Sequence, residues 1–204
     1  MHQIKWKGYL QAAGLTKTRW TNMKFRDKAL AFAFGDAPTD LPGGRYFDID
    51  AAVTRIGLDL APGLGLNVAM NLVRMTGEAA LHAIAYADHA EGEPVWYGIG
   101  EAVLPAGKAY TAGAGLLDGF AGSVVRSDKG EQAEVERWTL VNVTSVLARV
   151  RANAAAADLD LSDPFLPPPG STLLAELMKA GRKTDEERLT AIRAELSQVT
   201  ACGS

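Results

Sequence analysis

The sequence is almost free of cysteine, and this absence excludes several classes of protein. Cys202 is the single cysteine among 204 residues, so we expect neither an internal disulfide framework nor a metal site of paired cysteines. No apolar run approaches the roughly 18 residues that a membrane helix needs, and the first ten residues lack the apolar stretch of a secretory signal. We therefore expect a cytoplasmic protein without a membrane partner.

Side chains that carry catalysis are also scarce or poorly placed. His82 and His89 share one face of an expected helix, but no cysteine or third histidine accompanies them as a metal ligand. No serine stands in a G-x-S-x-G motif, and the carboxylates follow no motif for acid-base chemistry. The glycine-rich stretch from Ala106 to Gly122 is read as a loose loop, and it lacks the Lys-Ser/Thr ending of a phosphate loop. The sequence thus predicts no enzyme, no metal site and no cofactor.

What the sequence does have is a marked segregation of charge. The net charge is −3, yet residues 1–28 contain seven basic side chains and one acidic one, a balance of +6. The remaining residues carry 14 basic and 23 acidic side chains, a balance of −9. A basic N-terminal segment on an acidic body indicates that the segment meets a polyanion.

The basic segment has the pattern of two helices joined by a tight turn. Tyr9 to Ala13 is a short apolar helical piece, which Gly14 ends because glycine favours the left-handed conformation at a helix terminus. Thr16 is a good N-cap for a second helix over residues 17–28. In that helix Trp20 and Met23 form one narrow apolar face, which we interpret as core, and the other positions are polar or basic. This is the pattern of a helix-turn-helix unit.

The following residues predict a β-hairpin of the kind called a wing. Ala29–Phe34 alternates small and large side chains as a half-buried strand does, and residues 35–44 are rich in glycine, proline and aspartate. Arg45, Tyr46 and Phe47 form the expected return strand. Asp48 or Asp50 then caps a long helix.

The run from Gly14 to Met23 resembles the helix-turn-helix of MerR-type winged-helix proteins, with Trp20 in the place of the apolar residue of their recognition helix. The run Arg45 to Asp50 looks like the second wing strand of that family. The resemblance covers about residues 4–72 and implies a winged helix that contacts DNA. It departs from the family in its longer wing loop, in the break at residues 61–65 and in lacking a long dimerising coiled coil.

The residues that we expect to contact DNA lie mainly on the second helix. Arg19 and Asn22 have side chains able to pair with guanine and adenine edges, and the lysines suit phosphate contacts, which position the protein. A solvated surface without a ligand is the alternative for Lys17, Arg19 and Arg26. The full set is Lys5, Lys7, Lys17, Thr18, Arg19, Thr21, Asn22, Lys24, Arg26, Lys28 and Arg45.

The acidic body predicts a small antiparallel sheet backed by helices. A helix over residues 66–90 has a break at Thr76-Gly77, and Thr144 is expected to cap a later helix. Residues 161–170 are expected to form a proline-rich linker, followed by two short helices, the second with an apolar seam from Leu189 to Val199. Strands are expected at Val95–Gly100, Ser123–Arg126 and Val135–Val143.

These observations predict an α+β protein: a winged helix-turn-helix at residues 1–72, a mixed α/β body for dimerisation or effector binding at 73–160, and a linker with C-terminal helices at 161–204. The expected function is a homodimeric, sequence-specific transcriptional regulator. Its recognition helix would enter the major groove, and its wing would contact the backbone or minor groove. One alternative is a phage or mobile-element DNA-packaging or recombination accessory protein, whose C-terminal helices recruit a protein partner. A third is an enzyme that uses the sheet around Trp96 and Trp138 as a pocket.

Overall fold

The computed structural model describes residues 2–33, 45–90, 92–126 and 129–179. Residues 1–169 form one compact unit and residues 170–204 form a second, of which residues 172–179 are helical. The expected domain boundaries at residues 72 and 160 both lie inside the first unit. They remain predictions about which part of the chain carries which function. Within the described ranges, no helix combines the length and the apolarity needed to cross a membrane.

The first unit mixes helices and strands, as predicted. Its α-helices are α1 (Trp6–Ala12), α2 (Lys17–Thr21), α3 (Asp48–Leu64), α4 (Leu66–Met75), α5 (Gly77–His89) and α6 (Val143–Ala155). A π-helical turn, Asn22–Arg26, continues α2, and a 3₁₀ helix spans Leu117–Phe120. The strands are β1 (Gln3–Lys5), β2 (Arg45–Phe47), β3 (Trp96–Leu104), β4 (Gly107–Gly115), β5 (Val124–Arg126), β6 (Gln132–Glu134) and β7 (Arg137–Asn142).

The main sheet is antiparallel, with the order β4-β3-β7, and helices α3, α5 and α6 contact it. Tyr97 and Ile99 of the central strand are fully buried, and the Tyr97 hydroxyl lies 2.6 Å from the Thr76 hydroxyl at the start of α5. The predicted antiparallel sheet with helical backing is confirmed for the strands expected at Val95–Gly100 and Val135–Val143, as is the helix break at Thr76-Gly77. The strand expected at Ser123–Arg126 instead pairs with β6 in a separate two-stranded sheet. The expectation of a loose loop from Ala106 to Gly122 is wrong, because β4 occupies Gly107–Gly115 of this stretch.

The opposite face of this sheet is closed by two aromatic rings that lie over glycines. Phe120 and Trp138 pack edge to face, with ring centroids 4.8 Å apart. A Cβ atom at Gly98 would lie 2.9 Å from ring carbons of both residues, so any larger residue there would displace them. The glycines of β3 and β4 therefore leave the space that these rings fill.

Three further local predictions are wrong. Residues 29–33 form no strand, and Arg45–Phe47 pairs with Gln3–Lys5 instead. The two strands expected to form the wing hairpin are therefore not paired with each other in the part of the chain that the structure describes. Phe34 and residues 35–44 lie outside the described residues. The N-cap of α6 is Asn142, whose side chain accepts a hydrogen bond from the Ser145 N–H at 2.9 Å, whereas the Thr144 hydroxyl accepts one from the Val95 N–H.

The third correction concerns the expected linker, because its first half is packed. Phe165 and Leu166 are 0% and 2% exposed. The buried Asp88 carboxylate accepts hydrogen bonds from the Phe165 N–H at 2.6 Å and from Arg151 at 2.5 Å. Arg151 also donates to the Leu161 carbonyl, which fastens this segment to α5 and α6. The seam from Leu189 to Val199 lies outside the described residues.

Two buried aspartates organise the start of α3. Asp50 is 4% exposed, and its carboxylate accepts hydrogen bonds from the Ala33 N–H at 2.9 Å and the Phe47 N–H at 2.8 Å. Asp48 is 1% exposed and accepts from the His2 N–H at 2.9 Å. The expected N-cap is wrong, because the helix begins earlier: its N-cap is Phe47 and both aspartates lie in its first turn. Asp50, at the third helical position, accepts a hydrogen bond from the Phe47 N–H, which is the N3 half of a capping box.

Burial raises the pKa of Asp50 to about 6, and it also raises the pKa of Asp48. Since a folded-state pKa above the unfolded value favours the protonated form, the stability that Asp50 contributes is present below about pH 4 and is lost as the pH rises through 6. We expect this loss to be about 3 kcal/mol.

The free energy of unfolding, measured with urea between pH 4 and 7, should therefore change less with pH in Asp50→Asn than in the wild type.

The variant also loses one acceptor, which lowers its free energy of unfolding at every pH. The informative quantity is therefore the change with pH and not the level. An identical pH dependence of the free energy of unfolding in the two proteins would contradict the raised pKa of Asp50.

Candidate nucleic-acid interface

The turn between α1 and α2 is fixed by backbone hydrogen bonds. Gly14 has a φ of +67°, the Leu15 N–H donates to the Leu10 carbonyl at 2.8 Å, and the Gly14 N–H donates to the Gln11 carbonyl at 3.0 Å. This is the Schellman arrangement that glycine favours. The Thr16 hydroxyl accepts from the Arg19 N–H at 3.1 Å. The predicted roles of Gly14 and Thr16 are thus confirmed.

One side of the second helix is locked into the core. Trp20 is 8% exposed and Met23 is 1% exposed, which confirms the interpretation of this pair as core residues. Trp20 packs edge to face on Trp6 of α1, with centroids 5.6 Å apart. Edge-to-face packing is a favoured geometry for aromatic pairs, and here it sets the orientation of α2 relative to α1.

A buried tyrosine ties α1 to α3 and to the chain that follows the second helix. The Tyr9 ring is fully buried and stacks on Tyr46 with centroids 4.4 Å apart. Its hydroxyl lies 2.9 Å from the Thr54 hydroxyl, which in turn donates to the Ala31 carbonyl at 3.1 Å. Burial raises the pKa of Tyr9 far above its usual value. The hydroxyl therefore stays neutral and able to hydrogen-bond at every physiological pH.

The turn also contacts α6, which belongs to the acidic body. The Asn153 side-chain amide donates to the Ala12 carbonyl at the end of α1, at a distance of 3.3 Å. Arg149 of α6 and Arg55 both form ion pairs with Asp59 on α3. The predicted DNA-binding part and the predicted acidic body are thus joined by direct contacts.

Eight of the eleven expected contact residues lie within residues 17–28, and six of these eight are exposed. Thr21 is half-buried, and Lys5 and Lys7 lie exposed in β1 and α1. Arg45 lies in β2, and its side chain is outside the described part. The exposed members within residues 17–28 are Lys17, Thr18, Arg19, Asn22, Arg26 and Lys28. We call residues 17–28 with these outward side chains the basic helical face.

Two cations of this face have partners within the protein. The Lys24 ammonium lies 5.2 Å from the centroid of the Trp20 ring and 5.0 Å from that of Phe25, so the half-buried Lys24 covers aromatic surface. Arg26 donates from Nε to Asp27 at 2.8 Å, and this hydrogen bond lowers the pKa of Asp27. Asp27 therefore stays ionised and competes with any external anion for Arg26.

The helical segment ends at a residue in the left-handed conformation. Lys28 has a φ of +48°, which is uncommon for a residue other than glycine, asparagine or aspartate. The backbone leaves the helix there, after hydrogen bonds from the Asp27 N–H to the Asn22 carbonyl and from the Ala29 N–H to the Met23 carbonyl. Asparagine is the replacement for Lys28 that removes its charge and keeps this conformation.

Sequence reasoning missed Phe25 as a surface feature of this face. Its side chain is 65% exposed although it stands between Lys24 and Arg26. The signal was available in the spacing, because Phe25 falls outside the apolar stripe of Trp20 and Met23.

The acidic body contains a cavity of about 380 Å³ between β4, the 3₁₀ helix and Trp138. Its lining is made of glycine, alanine and larger apolar side chains, with Thr111 and Ser123 as its hydroxyl groups and no ionisable side chain. Trp96, expected to line such a pocket, is not part of this lining. Among the described residues, no group of three or more His, Cys, Asp or Glu side chains is placed to hold a metal ion.

Gly14 provides a test of the turn that positions the face. We expect Gly14→Ala to lower the free energy of unfolding by about 1–2 kcal/mol, the cost of a left-handed conformation for a residue with a Cβ. The new Cβ would also lie 3.2 Å from Asn153 Nδ2. Gly77→Ala is the matched control, because Gly77 begins α5 and a Cβ there meets nothing within 4 Å. Urea unfolding measures both, and equal effects would contradict the assigned role of Gly14.

Comparison of the chain with models of protein families, with curated proteins and with solved structures gives no match.

Proposed function

We propose that the protein binds double-stranded DNA through the basic helical face and acts as a homodimeric, sequence-specific transcriptional regulator. The observation that carries the proposal is the division of this short helical segment into two sides. Trp20 and Met23 anchor one side, while the other presents cations and amide or hydroxyl groups to solvent. A rigid helix with such a surface is suited to the major groove.

The charge distribution supports the same proposal. The +6 balance of residues 1–28 attracts phosphate, whereas the −9 balance of the rest repels it and limits contact to one part of the protein. A face of about ten residues reads few base pairs, so two copies on a palindrome supply the specificity that a regulator needs.

Within the face we assign different tasks to different residues. Arg19 and Asn22 are exposed and carry the groups that pair with guanine and adenine edges. Lys17 and Lys28 are exposed cations that suit phosphate. Lys24, whose ammonium lies over two rings, serves both the packing of the face and its charge, so its substitution changes two properties at once.

The test begins with DNA selected from a random library by the full-length protein. Arg19→Ala should weaken binding to the selected sequence by about 1–3 kcal/mol with little effect on random DNA. Lys28→Asn should weaken binding to both alike and reduce the slope of log K against log salt by about one. Lys129→Ala, an exposed lysine outside the face, is the control. Binding is measured by gel shift or anisotropy. An unchanged affinity of Arg19→Ala for the selected sequence would contradict the assignment of Arg19 as a base-reading residue.

Asp27 supplies a prediction of opposite sign. Asp27→Asn removes the anion that holds Arg26, so we expect tighter binding to every DNA sequence and a salt slope about one unit steeper. Asp118→Asn, which neutralises an exposed aspartate of the 3₁₀ helix, should change neither quantity. If Asp27→Asn binds more weakly than the wild type, Arg26 does not contact phosphate.

A DNA-packaging or recombination accessory protein is the second candidate, favoured by one observation. Residues 170–204 form a compact unit separate from residues 1–169, which suits a module that recruits another protein. Sequencing of DNA bound in cells separates the two functions: sharp peaks indicate a regulator, and broad coverage together with a co-purifying ATPase or recombinase indicates an accessory protein.

A further inference from the structure

Phe25 is the most exposed aromatic side chain among the large apolar residues of the described chain that lie open to solvent. It is 65% exposed, whereas Trp20 and Met23 of the same helical segment are almost completely buried. Single exposed apolar residues are common on protein surfaces, so exposure alone does not indicate a ligand. The position of Phe25 within the basic helical face is what makes it informative.

Phe25 lies on the solvent side of the segment, within the same π-helical turn as Asn22. It follows Thr21 by four residues, a spacing that places side chains close together on a helix surface. Asn22 and Thr18 are themselves exposed. The Lys24 ammonium lies 5.0 Å from the ring centroid, and the Phe25 side chain is still 65% exposed beside it.

The major groove offers one apolar group to such a ring. Thymine carries a C5-methyl group there, and phenylalanine is among the side chains that contact it. Phosphates and the other base edges present only charged or polar groups. We propose that Phe25 packs on the C5-methyl group of a thymine and makes the protein prefer thymine at that position; this inference rests on the proposed binding of DNA.

Contact between two copies through this ring is disfavoured by charge. A two-fold contact would bring Lys24, Arg26 and Lys28 of one copy against the same residues of the other, with Asp27 as the acid between them. Like charges placed opposite one another oppose association. The same cations favour an anionic duplex.

The experiment removes the methyl group and the ring independently. In the sequence selected by the wild type, each thymine is replaced in turn by deoxyuridine, which lacks only the methyl group, and affinity is measured by anisotropy at fixed salt. At one position of each half-site we expect the wild type to lose about fourfold, the factor that corresponds to burying one methyl-sized group. Phe25→Ala should bind the thymine and deoxyuridine duplexes equally, and Phe25→Leu should regain part of the preference.

Met75→Ala truncates a side chain that is 77% exposed and lies in α4, outside the face, so it should retain the full preference. Circular dichroism and a light-scattering mass for each variant exclude misfolding and a changed oligomeric state as causes. Insensitivity of the wild type to every deoxyuridine, or a preference that survives in Phe25→Ala, would overturn the inference. Because Arg19→Ala is measured on the same duplex, its loss of binding supports the proposed DNA binding even where the Phe25 contact fails. The absence of any selected sequence would overturn both.

Discussion

A single buried carboxylate at the start of α3 fixes the geometry on which the basic helical face depends. Asp50 bonds to the backbone N–H of Ala33, after the second helix, and to that of Phe47, in the strand that pairs with the N-terminus. These two residues are far apart in sequence, and one side chain holds both against the same helix end. Because the carboxylate is almost fully buried, the two N–H groups would lose their partner if it moved. The position of the chain on both sides of residues 34–44 is set by this aspartate.

The aromatic residues extend that constraint to the helix that we assign to DNA. The Tyr9 hydroxyl connects α1 to the Thr54 hydroxyl on α3, and the Thr54 hydroxyl donates to the Ala31 carbonyl. Trp6 packs on Trp20 and orients it. Asn153 then joins the end of α1 to α6. The residues that we propose to read bases thus stand on a support that includes elements of the acidic body. Such pre-organisation favours specific recognition, because little conformational freedom remains to be lost on binding.

The sequence predicts best those features whose causes are local. Gly14, Thr16 and the Trp20–Met23 stripe follow from backbone preferences and from a spacing of a few residues, and all are found. The pairing of Arg45–Phe47 with Gln3–Lys5 spans about forty residues, and no local pattern distinguishes it from the expected hairpin. β4 was missed because its glycines and alanines have low strand propensity, and its stability comes from pairing with β3. For the site, charge predicted the face, but the engagement of Arg26 by Asp27 and the exposure of Phe25 depend on side-chain packing.

On the face of the main sheet that carries Phe120 and Trp138, the glycines beneath these rings determine which residues cover the sheet. Gly98 and Gly113 contribute no side chains, so the apolar cover comes from Phe120 of the 3₁₀ helix and from Trp138 and Leu140 of β7. Phe120 belongs to the 3₁₀ helix and not to the sheet, so detaching its ring leaves the ladder of β3 with β4 and β7 intact. Such a segment can open with a free energy well below that of global unfolding. The cavity beside it is therefore bounded on one side by a segment that can move without separation of the strands.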